Sequence, residues 1–176
     1  MILETERLRL RPLTPDDFDV VHSWARNPAN TRYVSWGPNS EEQTMDFLKS
    51  AKAGRDFAVV LKAGEKLIGS CGIYPDEDKD TAELGWIIHM DHWKRGYGTE
   101  LCDELIRYGF EVLMLRRLFA PCAAVNYGSY RVMERNGMRR EALCIKAFWA
   151  RVDKEWIDKA EYAILAEEYY LRKSGG

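Results

Sequence analysis

Long apolar runs are missing from this sequence. No stretch approaches the ~20 uncharged apolar residues that a membrane-crossing helix needs, so no membrane partner is expected. A basic excess is missing too. The 26 Lys and Arg are outnumbered by 28 Asp and Glu, for a net charge of -2, which argues against a general nucleic-acid binder. The four cysteines, Cys71, Cys102, Cys122 and Cys144, form no CxxC pair. Each lies in an apolar segment, so buried free thiols are expected rather than zinc ligands or disulfides. Only three histidines occur. His89 and His92 have HxxH spacing without a third ligand cluster, which favours structural histidines and no metal. The first residues, "MILETERLRLRPL", carry charges within the first ten and do not read as a signal peptide, so a cytoplasmic location is expected.

What is present is a globular composition, 46% hydrophobic and 31% charged over 176 residues, enough for one domain with a sizeable core. "ERLRLRPL" alternates polar and apolar residues and reads as a half-buried strand. Thr14 and Pro15 open a helix, and Ser40 with Gln43 forms a capping box for a second one. "DFAVVLK", "KLIGSCGIY" and "AELGWIIH" are β-rich runs separated by the turns "AGE" and "PDEDKD", which predicts an antiparallel meander. From Gly98 the period becomes helical through Leu101, Leu105, Gly109 and Leu113. "RLFAPCAAV" is a further strand, "YGSYRVMERNG" a helix closing on Gly137, and "EALCIKAFW" and "WIDKAEYAIL" late strands. The order predicts one α/β domain over residues 1–172, with a mixed sheet of about seven strands and a frayed tail at 173–176.

The stretch "HWKRGYGTEL", His92 to Leu101, lies between a strand and the long helix. A helix N-terminus offers unpaired N–H groups and partial positive charge, and so makes an anion seat. Gly96 and Gly98 allow close backbone approach, and Lys94 and Arg95 add full charge. A Rossmann loop is excluded by the missing third glycine and the preceding meander, and a Walker loop by the missing Gly-Lys-Ser/Thr.

"WKRGYG" resembles the phosphate loop Gln/Arg-x-x-Gly-x-Gly/Ala of the GNAT superfamily of N-acetyltransferases. Both glycines match, and Trp93 replaces the first residue, as is common in the RimJ/RimL type that acetylates ribosomal-protein N-termini. "ETERLRLRPLTPDD" is similar to that branch's first strand and helix, "AELGWIIH" to its fourth strand, and "NYGSYRVMERNGM" to Asn-x-x-Ser-x-x-Val-Leu-Glu-Lys-x-Gly-Phe. The resemblance implies direct acetyl transfer from acetyl-CoA to a primary amine, most readily a protein or peptide α-amine. A small-molecule amine, or a non-catalytic acyl-CoA-binding module, is the alternative.

The resemblance also implies site residues. Lys94, Arg95, Gly96, Tyr97, Gly98 and Thr99 would hold the pyrophosphate. A bulge in the family's fourth strand would let Ile88, His89 and Met90 pair with the pantetheine. Asn126 and Ser129 would contact the cofactor. Glu83, in an apolar run where burial raises a carboxyl's pKa, is the general-base candidate. Ser129 would donate to the departing thiolate, with Tyr130 or water as alternatives. Cys122 is read as a strand thiol rather than an acyl acceptor. Tyr33, Trp36, Phe148 and Trp149 are substrate-side candidates, and the aromatic-rich tail leaves a homodimer open.

Overall fold

The computed structural model describes residues 2–76 and 80–175. Glu77–Lys79, within the expected "PDEDKD" turn, lie outside the described residues, as do Met1 and Gly176. The chain runs β1 (Leu3–Glu4), β2 (Leu8–Pro12), α1 (Phe18–Ala25), α2 (Pro28–Thr31), α3 (Glu41–Ser50), β3 (Asp56–Leu61), β4 (Lys66–Asp76) and β5 (Thr81–Ile88). It continues through α4 (Tyr97–Arg107), β6 (Arg117–Ala123), α5 (Tyr127–Arg135), β7 (Arg139–Ala150), β8 (Glu155–Leu165) and α6 (Ala166–Ser174).

The strands form one sheet in the order β1-β2-β3-β4-β5-β6-β8-β7. Every neighbouring pair is antiparallel except β5 and β6. That exception follows from α4, because a helical crossover is what returns a chain to run parallel to its predecessor. The sheet has eight strands where about seven were expected; β1 is two residues long, too short to give an alternation signal. The expected capping box is present, with Ser40 N–H donating to Gln43 Oε1 at 2.9 Å and Gln43 N–H to Ser40 Oγ at 3.2 Å.

Two apolar layers follow from the strand period. On one face Leu84, Ile88, Leu118, Ala120, Cys122 and Ile164 pack with Leu101 and Leu105 of α4 and Met133 of α5. On the other, Ala58, Val60 and Ile87 pack with Val21, Trp24 and Ala25 of α1 and Leu48 of α3. No residue of β6, β7 or β8 belongs to this second cluster. That half of the sheet face is left without a helical cover among the described residues.

Two helical readings change. The helix expected to run through Leu113 is α-helical only to Arg107, then widens to a π turn over Tyr108–Val112. Gly109 lies in that turn, and a Cβ there would sit 2.8 Å from Leu118 Cδ1, so the missing side chain is what lets the turn close on β6. The chain end is also helical rather than a frayed tail from Lys173. α6 runs to Ser174, and its first turn is held by Glu168, which accepts from Leu165 N–H at 2.7 Å.

Candidate active site

The site begins where the β5–β6 ladder stops. The two strands pair only at Thr81–Arg117, Ala82–Leu118 and Glu83–Phe119, although β5 continues to Ile88 and β6 to Ala123. The cause is legible in β6. Arg117 N–H donates to Asp80 O at 3.3 Å, so by the period of two the same edge presents Phe119 and then residue 121. Residue 121 is proline, which has no N–H to give. The next rung cannot form, and a slot opens between the strands.

The other wall of the slot is β5. His89 N–H donates to Ile68 O of β4 at 2.7 Å, so odd-numbered residues of β5 bond toward β4 and even-numbered ones point their backbone groups the other way. Trp86 N–H and C=O and Ile88 N–H therefore face the slot.

The splay of this strand from β6 is present, but the bulge expected in it is not found in its ladder with β4. The β4–β5 register is continuous from Asp76–Thr81 to Gly69–Ile88, and the irregularity lies one ladder over, between β3 and β4. Nor are the backbone groups there free. Ile88 O accepts from Trp93 Nε1 at 2.7 Å and Asn30 Nδ2 at 3.1 Å, while Met90 N–H donates to Asn30 Oδ1 at 2.8 Å. Asn30 and Trp93 thus lock the strand end, and the slot-facing donors move back to Trp86 and Ile88.

The basic loop has the conformation an anion seat requires. Lys94 has φ +60 and Gly96 φ +83, so the chain turns through the left-handed region twice before α4 begins at Tyr97. The first bond inside the helix is Glu100 N–H to Gly96 O at 3.1 Å, which leaves the N–H groups of Tyr97, Gly98 and Thr99 without helical acceptors. Lys94, Arg95 and Gly96 are exposed, and neither Lys94 nor Arg95 makes an ion pair among the described residues. These residues fit a pyrophosphate: free N–H groups, a helix end and two uncommitted cations converge. Gly98 has a different task from Gly96. A Cβ there would approach Val132 Cγ2 to 3.2 Å, so it is the α4–α5 contact that needs the glycine. Asn136 secures the same contact by donating to Thr99 O at 3.1 Å and Val132 O at 2.9 Å.

Asn126 caps α5, its Oδ1 accepting from Ser129 N–H at 3.2 Å. Ser129 Oγ bonds none of the described residues and remains free to donate. Tyr130 stacks on Tyr162, ring centroids 6.5 Å apart and planes 7° apart. With Tyr127, Glu134, Arg140 and Tyr162 it lines a cavity of about 530 Å³ between α5 and β8, a surround that Ser129 does not share. Cys122 is a poor nucleophile, since burial pushes its thiol up to about 11. Cys144 is half-buried rather than buried.

Glu83 sits on the last paired rung, directly opposite Tyr74 on β4 and Phe119 on β6. Directly paired residues share a face, and the register carries that face on to Glu161, opposite Pro121, and Lys159, opposite Ala123. It is the face without a helical cover on its β6–β8–β7 half. Burial raises the Glu83 carboxyl above the ordinary glutamate value; the Lys159 charge opposes this and Glu161 reinforces it. Lys159 is itself held by Glu161 at 2.7 Å. Of the aromatic candidates, Tyr33 lies under Arg32, whose guanidinium is 5.5 Å from the ring and pairs with Asp153 at 3.0 Å. This pair ties the loop that carries Trp36 to the β7–β8 turn.

The HxxH spacing predicts a structural role for His92, and its setting is more pointed. It is buried beside the loop, 6.4 Å from the Tyr97 ring, with Nδ1 lacking a partner among the described residues. Burial, with Lys66 and Arg95 nearby, lowers its pKa. The described residues contain no cluster of three or more metal-ligating side chains.

Comparison with known proteins agrees with this geometry. A family model described as "Acetyltransferase (GNAT) domain" matches residues 7–139. The chain is 32% identical to "Uncharacterized N-acetyltransferase YnaD" of Bacillus subtilis (strain 168), over 96% of this chain and 99% of that one. Its fold is similar to a GNAT-family acetyltransferase from Bacillus anthracis, with a TM-score of 0.87, 33% identity, and 96% and 100% of the two chains covered. The RimL ribosomal L7/L12 alpha-N-protein acetyltransferase in complex with coenzyme A is a more distant neighbour. It has a TM-score of 0.80 at 17% identity, with 94% and 98% covered, a likeness of fold alone. The ordered match of sheet, slot, loop and capped α5, together with these relatives, places the chain in the GNAT family, and it is an N-acetyltransferase.

Proposed function

We propose that the protein transfers acetyl from acetyl-CoA to a primary amine, and that the acceptor is the α-amine of a protein or peptide, as in the RimJ/RimL type. The observation that carries the reading is the placement of Glu83 on the last β5–β6 rung. It faces the open half-sheet, at the closed end of a slot whose other end leads to the anion seat. An α-amine titrates near ~8 and needs one modest base, and an uncovered sheet face admits a chain end.

Acetyl-CoA supplies an activated thioester; the protein positions it and manages the protons. Lys94, Arg95 and the N–H groups of Tyr97 to Thr99 hold the pyrophosphate. Trp86 N–H lies where it can donate to the thioester oxygen as negative charge grows there. Glu83 takes the ammonium proton, directly or through water. The amine then forms the C–N bond as the C–S bond breaks, its surplus proton passes to the departing thiolate, and the Ser129 hydroxyl hydrogen-bonds that sulfur.

The test is release of free thiol from acetyl-CoA with N-terminal peptides, polyamines and aminoglycosides as acceptors. Turnover confined to peptides is the expected result. Turnover confined to a small amine changes the acceptor, and tight binding of the donor without turnover on any acceptor sinks the enzymatic reading. Ser129→Ala is expected to lower kcat about tenfold through loss of one hydrogen bond to a developing charge; undiminished turnover transfers that role to water. Pro121→Ala restores the missing donor. Hydrogen exchange is expected to find the new amide protected, and the KM for acetyl-CoA to rise about tenfold as the slot narrows by one rung of roughly 1 kcal/mol.

A further inference from the structure

Arg7 stands far from the loop in sequence and against it in space. Its Nη1 donates to Arg95 O at 3.0 Å, its Nε pairs with Glu100 Oε2 at 2.6 Å, and its guanidinium lies 4.7 Å from the centroid of the Tyr97 ring. Arg7 N–H donates to Glu100 Oε1 at 2.7 Å, and Thr5 Oγ1 donates to the same oxygen. One side chain therefore touches three residues of the turn and the first helical turn behind it. Its Nη2 bonds none of the described residues, and lies 3.3 Å from where a Gly96 Cβ would be.

Two physical needs meet at this side chain. A carboxylate in the first turn of α4 suits the helix end but repels a phosphate brought to the same place. Glu100 is such a carboxylate. Burial pushes its pKa up, yet the bonds from Thr5 and from Arg7 outweigh this and keep it ionised. A guanidinium directed at it neutralises the repulsion. The second need is shape. The Lys94–Gly96 turn departs from ordinary backbone, and a planar fork that bonds the Arg95 carbonyl while stacking on Tyr97 fixes it.

We infer that Arg7 is a cofactor-positioning residue: it clamps the Arg95–Tyr97 turn open, cancels the Glu100 charge, and turns its free Nη2 toward the pyrophosphate. This rests on the acetyl-CoA reading above and adds a residue from the β1–β2 connection to the seat. A lysine cannot replace it, because a point charge cannot bond the Arg95 carbonyl and Glu100 while also stacking on Tyr97.

The experiment compares binding of CoA, dephospho-CoA and pantetheine by the wild type, Arg7→Met and Arg7→Lys, with thermal unfolding recorded for each. The expected result is that Arg7→Met weakens CoA and dephospho-CoA alike, by about tenfold. Pantetheine, which has no pyrophosphate, binds unchanged. Arg7→Lys is expected to recover only part of the loss, and it preserves charge should Arg7→Met fold poorly. In turnover the loss appears in the KM for acetyl-CoA, with kcat retained. Equal weakening of pantetheine, or full recovery by lysine, overturns the clamp and leaves the acetyl-CoA reading standing. Absence of CoA binding in the wild type overturns both.

Discussion

Glu83→Gln is expected to lower kcat by about 10²-fold or more and to remove the acid limb of its pH profile. Glutamine keeps the size and one acceptor oxygen but cannot take a proton. kcat is the parameter to follow, because kcat/KM also carries the titration of the free amine. The sign follows from the carboxyl's surroundings. A base acts only when ionised, so activity rises as pH climbs through its pKa. Burial raises the Glu83 pKa, so the limb lies at higher pH than the ordinary ~4.3 of a glutamate.

Lys159 gives the same prediction a second arm. Its charge opposes the shift at Glu83, so Lys159→Met is expected to move the acid limb to still higher pH while leaving its shape. A profile unmoved by either substitution removes Glu83 from proton transfer. Full turnover in Glu83→Gln returns the carboxylate to a structural role on an open sheet face.

Local chemistry made much of this legible in the sequence. The Ser40–Gln43 box, the left-handed Gly96 and the strand-loop-helix order each depend on residues within one turn of one another. What resisted reading depends on partners far apart in sequence. Asn30 closes the end of β5 from a segment 58 residues earlier in the chain. Arg7 and Glu100 meet across the fold. The slot is an intermediate case. Pro121 is visible as a missing donor, but which edge of β6 it disarms is known only once the β5 and β8 registers are. α6 gives no start signal because its N-cap position is Leu165, whose N–H is held by Glu168, and leucine is none of the Ser, Thr, Asp or Asn residues that mark a helix start.

Gly96→Val is expected to raise the KM and Kd for acetyl-CoA about 10- to 100-fold with a smaller change in kcat. At φ +83 a β-branched residue is strained by roughly 1–3 kcal/mol, and each 1.4 kcal/mol is a factor of ten. The strain has one local escape, rotation of the 94–97 backbone out of the left-handed region. That rotation turns the N–H groups of Tyr97 and Gly98 away from their common focus. The new Cβ also approaches Arg7 Nη2 to 3.3 Å, pressing on the clamp that holds the Arg95 carbonyl. The loss therefore falls on the pyrophosphate, and pantetheine affinity is expected to stay within a factor of two of wild type. Gly98→Ala separates the two glycines. Its Cβ meets Val132 rather than the seat, so it is expected to lower the thermal midpoint more than it weakens the donor. A Gly96→Val protein that binds CoA as tightly as wild type would show that the turn's backbone does not hold the phosphate, leaving the exposed Lys94 and Arg95 side chains to carry it alone.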